Sequence, residues 1–250
     1  MLTYGIFIFK KIIRILKKEK SFQGTYAYRK YLFEDLARYF NADKFENSRV
    51  LEIGPKDGED SLRILSLNPS ELILFDLPDK VDENEKWKKL LRKQDKLIID
   101  NFLYLSKKDF ENLGKFDLIY FTGVLYHNPE QLRFINKLYE KLNIGGVLVL
   151  ETATIRNILY RNLNIVQIWH PKTYRETTTI SHLPSKKAVV SWLEMVGFSR
   201  IIISNCYDKE NFNVRKNRLA LFAEKRETDT QQVYYKKQIK NSNFTIGGST

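Results

Sequence analysis

Three carboxylates lie at or near the ends of three successive apolar runs, and that spacing is where chemistry could be done. Glu52 sits in Val50-Leu-Glu-Ile53, Asp76 closes Leu72-Ile-Leu-Phe-Asp76, and Asp100 closes Lys96-Leu-Ile-Ile-Asp100. Each run has the length and apolar content of a buried strand. After the first comes Gly54-Pro55-Lys56-Asp57-Gly58. Here the strand should break into a tight turn, with a helix beginning near Gly58 or Glu59. Gly54 would let the backbone approach a ligand closely, because a Cβ there would block it. A dinucleotide site uses G-x-G-x-x-G to bring amides and a helix N-terminus against a pyrophosphate. In this chain Lys56 takes the place of the middle glycine, and Glu52 and Asp57 make the turn acidic, so nothing points to a cradled phosphate.

Two further runs follow in order. Phe116-Asp-Leu-Ile-Tyr-Phe121 leads into Thr122-Gly123-Val-Leu-Tyr126-His127, and Gly145-Gly146-Val-Leu-Val-Leu-Glu151-Thr152 opens with paired glycines. In a Rossmann-like unit an acid ending the second strand can accept hydrogen bonds from both ribose hydroxyls, which is the position of Asp76, next to Leu77. Together with Glu-x-Gly-x-x-x-Gly (Glu52, Gly54, Gly58), this series resembles the class I S-adenosylmethionine (SAM) methyltransferases. The resemblance implies a Rossmann-like seven-stranded sheet whose last two strands form an antiparallel pair. It also implies a cationic, phosphate-free cofactor held by Glu52, Gly54, Pro55, Gly58, Asp76, Leu77, Thr122 and Gly123. Asp100 or Asn101 would face the adenine amino group, and Phe102 would lie against the ring.

The elements that must position these residues can be read from the pattern. Residues 1–48 form an N-terminal helical extension, with Asp43 to Ser48 leading into the first strand. Strands and helices then alternate, which implies a mostly parallel sheet covered on both faces. Pro129 to Leu142 shows helical spacing and places proline in the first turn. Pro184 to Val196 repeats that arrangement, with Ser185 near its start and Gly197 beyond its end. Residues 199–206 and 218–225 are the last strands, with Cys206 inside the former. The domain spans 49–225, and 226–250 read as a mobile polar tail. The stretch 153–183, with Trp169, His170, Tyr174 and Arg175, is too long for a plain connection and reads as an acceptor-side insertion.

Composition narrows the class. One cysteine excludes an intrachain disulfide framework and a Cys-rich zinc site, so a cytoplasmic protein with a buried inert thiol is expected. The three histidines share no metal-like spacing, and no apolar run is long enough to span a bilayer. A net charge of +12 favours polyanionic surfaces such as RNA or anionic lipid. Ile6, Phe9, Ile13 and Leu16 share one helical face, and Lys10, Lys11, Arg14, Lys17 and Lys18 lie largely on another. Residues 1–20 could therefore cover the sheet or make peripheral contact with an anionic membrane.

A closer resemblance rests on Gly123-Val-Leu-Tyr-His127, Gly146 to Thr152, Leu183-Pro-Ser-Lys-Lys-Ala188 and Arg218-Leu-Ala-Leu-Phe-Ala-Glu-Lys. These are similar to the tRNA uridine 5-oxyacetic acid (carboxymethyl) synthases, which use carboxy-SAM. That resemblance implies that Tyr126 and Arg218 recognise the extra carboxylate, a task to which the planar guanidinium fork is suited. The chain departs from this family in the Lys56 turn and in having only 48 residues before the first strand, without the family's Trp-Arg-Lys-Gly segment. Plain SAM-dependent methyl transfer is the resulting expectation, with carboxymethyl transfer to a tRNA wobble uridine as the alternative.

Methyl transfer from a sulfonium asks chiefly for positioning, and a base is needed only where the acceptor must lose a proton. His127, after the fourth strand, could be that base or could bond a backbone carbonyl. Tyr126 would touch substrate or cofactor. The acceptor could be RNA, a glycan, a lipid or a small molecule. A SAM-fold module that binds RNA, lipid or a partner without turnover stands as the second class of function. The three acids Glu52, Asp76 and Asp100 favour the enzyme, because a module that does not bind the cofactor has no use for them.

Overall fold

The apolar runs do become strands. The computed structural model describes residues 28–77, 89, 91–157, 159–171, 181–208 and 217–227. Within them β1 (Arg49–Ile53), β2 (Glu71–Asp76), β3 (Lys96–Ile99), β4 (Phe116–Thr122) and β5 (Leu142–Ala153) are parallel. A hairpin follows, β6 (Val166–Trp169) with β7 (Ser181–Pro184), which forms its own antiparallel two-stranded sheet. The main sheet is completed by β8 (Arg200–Ile203) and β9 (Arg218–Glu224), giving the order β3-β2-β1-β4-β5-β9-β8. β9 runs antiparallel to both β5 and β8, and its pairing with β8 is the antiparallel last pair that the sequence led us to expect.

Side chains alternate across this sheet and fill two apolar layers. Leu51, Ile53 and Phe75 face one layer, beneath α4 (Gln131–Lys141) and α5 (Lys186–Val196), which contribute Phe134, Ile135, Leu138, Val189 and Leu193. Val50, Leu72 and Leu74 face the other, beneath α1 (Tyr28–Phe40) and α2 (Glu59–Leu65), which contribute Leu32, Phe33, Leu36 and Ile64. The described end of the N-terminal extension is therefore part of the core. A short helix α3 (Lys107–Asn112) precedes β4. Among the described residues no helix is long and apolar enough to cross a membrane.

Local chemistry explains several boundaries. The Ser185 hydroxyl accepts from the Ala188 N–H at 3.0 Å and caps α5, and Gly197 (φ 124°) ends it. A Cβ on Gly146 would lie 2.9 Å from the Asn143 carbonyl oxygen and 3.0 Å from that of Phe116, where the β4–β5 register shifts. Three expectations need correction. Pro184, expected in the first turn of a helix, is the last residue of β7, and Ser185 caps α5. Pro129 lies outside α4, whose cap is Glu130; the Asn128 side chain accepts the Glu130 N–H at 2.7 Å and turns the chain there. Cys206 lies beyond β8, in a 3-10 turn spanning Cys206–Asp208. Asp35 of α1 accepts from the Ser204 hydroxyl at 2.7 Å and the Asn205 N–H at 3.2 Å, which draws the chain out of the sheet. The Cys206 thiol is buried, and that burial pushes its pKa up to about 12, so it is inert. Residues 1–20, Tyr174, Arg175 and the tail from 228 onward lie outside the described residues.

Candidate active site

The direction of strand order changes between β1 and β4, and in open α/β sheets the crevice at such a point, outside the strand carboxyl ends, is where ligands bind. The turn after β1 holds three left-handed residues: Gly54 (φ 72°), Lys56 (φ 53°) and Gly58 (φ 75°). Lys56 thus adopts the conformation that a glycine reaches without steric cost. The Gly54 N–H donates to the Phe75 carbonyl at 2.8 Å, and the buried Pro55 accepts from the Gly58 N–H at 2.9 Å. A Cβ on Gly54 would stand 2.6 Å from Val124 Cγ2. The glycine is therefore required by contact between the β1 and β4 turns as well as by its φ, and not only by a ligand as expected.

The rim acids differ sharply in setting. Asp76, 8% exposed at the end of β2, accepts the Leu77 N–H at 2.9 Å, while Leu77 itself is exposed. Asp100 is exposed just past β3 and accepts the Asn101 N–H at 2.6 Å. The Asn101 side-chain oxygen accepts from the Leu103 N–H at 3.1 Å and caps a turn. Phe102 departs from expectation: it is buried among Phe75, Phe110 and Phe134, stacked on the last with ring centroids 5.6 Å apart. Its side chain belongs to the core under β2 and β3. Glu52, expected to face the cofactor, is 2% exposed and accepts the Ser61 hydroxyl of α2 at 2.6 Å. Burial, reinforced by the nearby Asp60, pushes its carboxyl up to about 8.

Two buried ionic clusters back the ends of β4 and β5. In the first, Asp60 of α2 accepts the Thr122 hydroxyl at 3.1 Å and pairs with Arg29 of α1 at 3.0 Å and Arg63 at 3.2 Å; Arg63 also pairs with Glu59. The Arg29 guanidinium lies 3.5 Å from where a Gly123 Cβ would stand, and Gly123 (φ 73°) donates its N–H to the Glu151 carbonyl at 2.9 Å. In the second, the fully buried Glu151 accepts from the Tyr207 hydroxyl and holds Arg218 bidentately through Nε and Nη2. Burial alone would lower the Arg218 pKa, and the facing carboxylate more than offsets this and raises it. The Arg218 guanidinium lies 5.6 Å from the Tyr126 ring centroid and 5.9 Å from that of Tyr28. Arg218 therefore lies beside Tyr126, with its charge already balanced by Glu151.

Beyond β4, Tyr126 is half-buried against Ala153, Ile155 and Leu183, and its ring lies 3.9 Å from that of the exposed His127. Ile165 and Trp169 of the insertion pack on the same cluster. The Gln131 side chain ties the two parts together, donating to the Leu125 carbonyl at 3.0 Å and the His182 carbonyl at 2.7 Å. Sequence reasoning missed the roles of Arg29, Asp60 and Glu151. Only Glu151 left a signal, as another acid near the end of an apolar run.

Strand order and crevice together define the class I SAM-dependent methyltransferase fold. The family described as methyltransferase domain matches residues 25–201, and the chain belongs to it. Among curated relatives, the chain is 30% identical over 158 residues to the tRNA U34 carboxymethyltransferase of Helicobacter acinonychis (strain Sheeba), covering 63% of this chain and 58% of that protein. It is 29% identical over 189 residues to the protein of the same name from Helicobacter pylori (strain G27), covering 76% and 66%. The chain thus spans less than two thirds of the length of these relatives. Among solved structures, the N-terminal domain of EvdMO1 with S-adenosylhomocysteine bound superimposes with a TM-score of 0.60 at 15% identity, covering 78% of this chain and 81% of that one. The glycopeptide N-methyltransferase MtfA, also with S-adenosylhomocysteine, gives 0.56 at 14% identity, covering 82% and 91%. At such identities these likenesses bear on the fold.

Proposed function

We propose that the chain transfers a methyl group from SAM to an acceptor that enters beside Tyr126 and His127. The reading rests on one juxtaposition above all: Asp76 at the end of β2, next to the left-handed turn from Gly54 to Gly58, at the point where strand order reverses. The residues fit the cofactor. Asp76 would take the ribose hydroxyls, with Leu77 along the sugar, and Asp100 and Asn101 the adenine edge. Gly54, Pro55 and Gly58 shape the turn, and Thr122 and Gly123 close the floor. When bound, SAM supplies an electrophilic methyl on a sulfonium with a good leaving group. The chain's own contribution is orientation and exclusion of water, with His127 standing where an acceptor proton would be met. Residues 49–225 form the catalytic domain in this reading, in a cytoplasmic setting suggested by the single buried thiol.

Asp76→Ala should weaken SAM binding by about 1 to 3 kcal/mol, the scale of lost charge-assisted hydrogen bonds, in isothermal titration of the folded variant. Unchanged affinity would remove Asp76 from the site. A wild-type chain that fails to bind SAM at low-millimolar concentration would favour the non-catalytic binding module.

A second reading, carboxymethyl transfer from carboxy-SAM to tRNA, is favoured by the names of the relatives and by Arg218 lying beside Tyr126. Against it, Glu151 already occupies two donors of Arg218. Titrating both cofactors against wild type and Arg218→Lys separates the readings. We expect similar affinities for both and no selective loss in the variant; tighter carboxy-SAM binding that the variant abolishes would establish the second.

A further inference from the structure

The acceptor-side insertion carries an outer surface that the domain's own packing does not use. Of the ten exposed large apolar side chains among the described residues, five fall between positions 159 and 168: Leu159, Tyr160, Leu163, Val166 and Ile168. The other five are scattered through the chain, as single surface apolar residues usually are. The hairpin's alternation explains part of the cluster. Ile165 and Trp169 turn inward onto the cluster of Ala153, Ile155 and Leu183, so Val166 and Ile168 must point the other way, into solvent. Leu159 is 74% exposed and Ile168 is 61% exposed. Along the stretch that carries the patch, charge has one sign. From residue 152 to residue 175 the chain has Arg156, Arg161, Lys172 and Arg175 and no acid, and Arg156 and Arg161 are both exposed.

We propose that residues 156–168 form a contact surface for anionic lipid bilayers. Aliphatic side chains entering the acyl boundary, with guanidinium groups at the headgroup level, are what an interfacial segment requires. Single-stranded RNA fits less well, because bases stack on aromatic faces and Tyr160 is the one aromatic ring among the five exposed side chains. A second copy of the chain fits less well too, since the same arginines would face each other. The surface backs directly onto the cluster that holds Tyr126, so membrane contact would set the mouth of the crevice against the bilayer. The inference stands apart from the methyl-transfer reading, because it needs no cofactor.

The test is co-sedimentation of the full chain with phosphatidylcholine vesicles, with and without phosphatidylglycerol. Wild type should partition onto the anionic vesicles and release as salt rises. The double variant Leu159→Asp, Ile168→Asp, changed only at exposed positions, should lose at least tenfold in partition coefficient while keeping its melting temperature. Arg156→Glu with Arg161→Glu is an independent second variant and should lose binding to anionic vesicles as well. Ile6→Asp with Phe9→Asp, run in parallel, reports the contribution of the leading segment. Insertion variants that partition as wild type overturn the proposal, even if the leading-segment variant has lost binding. A wild-type chain that ignores vesicles, whether or not it shifts a single-stranded RNA or dimerises, overturns it as well.

Discussion

Glu151→Ala is expected to destabilise the domain by about 3 to 5 kcal/mol, the usual cost of leaving a buried charge unpaired. For a domain of this size that corresponds to a fall of roughly 10 °C in melting temperature. The carboxylate is fully buried and receives Arg218 through two donors and Tyr207 through its hydroxyl. Removing it strands the Arg218 cation between two aromatic rings with no anion to offset its desolvation. The diagnostic variant is the double change Glu151→Leu with Arg218→Met, which removes both charges and keeps most of the volume. It should recover more than half of the loss, with Tyr207 accounting for the remainder through its missing acceptor. If single and double variants melt together, the ion pair is not what stabilises this corner.

Glu52 should make stability fall with rising pH across a window where most carboxylates have already titrated. Its folded pKa, about 8, lies above the ordinary 4.5, so between those values the folded state binds more protons than the unfolded one. Its contribution is fully present below about pH 4.5 and is lost as pH rises through about 8. Each pH unit between the folded and unfolded values corresponds to about 1.4 kcal/mol. With relaxation of the site allowed for, about 3 kcal/mol should be at stake. Glu52→Gln keeps an acceptor for the Ser61 hydroxyl and cannot ionise. Melting curves taken from pH 4 to 9 should therefore show wild type losing ground to the variant as pH rises, with the variant the more stable above 8. Parallel curves would mean that Glu52 ionises normally despite its burial.

Strands β1, β2, β4 and β5 were legible because parallel strands buried on both faces leave unbroken apolar runs, whereas the β6–β7 hairpin inside the insertion was not read. The α5 boundaries were legible for the same local reason, as Ser185 and Gly197 act within one turn of the chain. What escaped was decided by distant partners. Nothing near Arg29 announces that it pairs with Asp60, and nothing near Ser204 announces Asp35, the contact that takes Cys206 out of the strand. Phe102 reads the same in sequence whether it faces an adenine or a core, and only the neighbouring Phe75 and Phe134 decide between them. Gly54 was recognised as special, but half of its reason sits on β4's turn, in Val124.

The Arg29–Asp60 pair also bears on how this architecture can change. A boundary drawn at residue 48 is clean in sequence, yet α1 delivers a cation that crosses it to reach the floor of the crevice. The catalytic fold is therefore not a module that can be moved behind a different leader. An N-terminal segment exchanged for this one must bring its own positive charge to Asp60, or leave that buried acid with Arg63 alone as its ion-pair partner among the described residues, unless Asp60 and Thr122 change with it. Chains that share this sheet but begin differently are expected to differ at those two positions together.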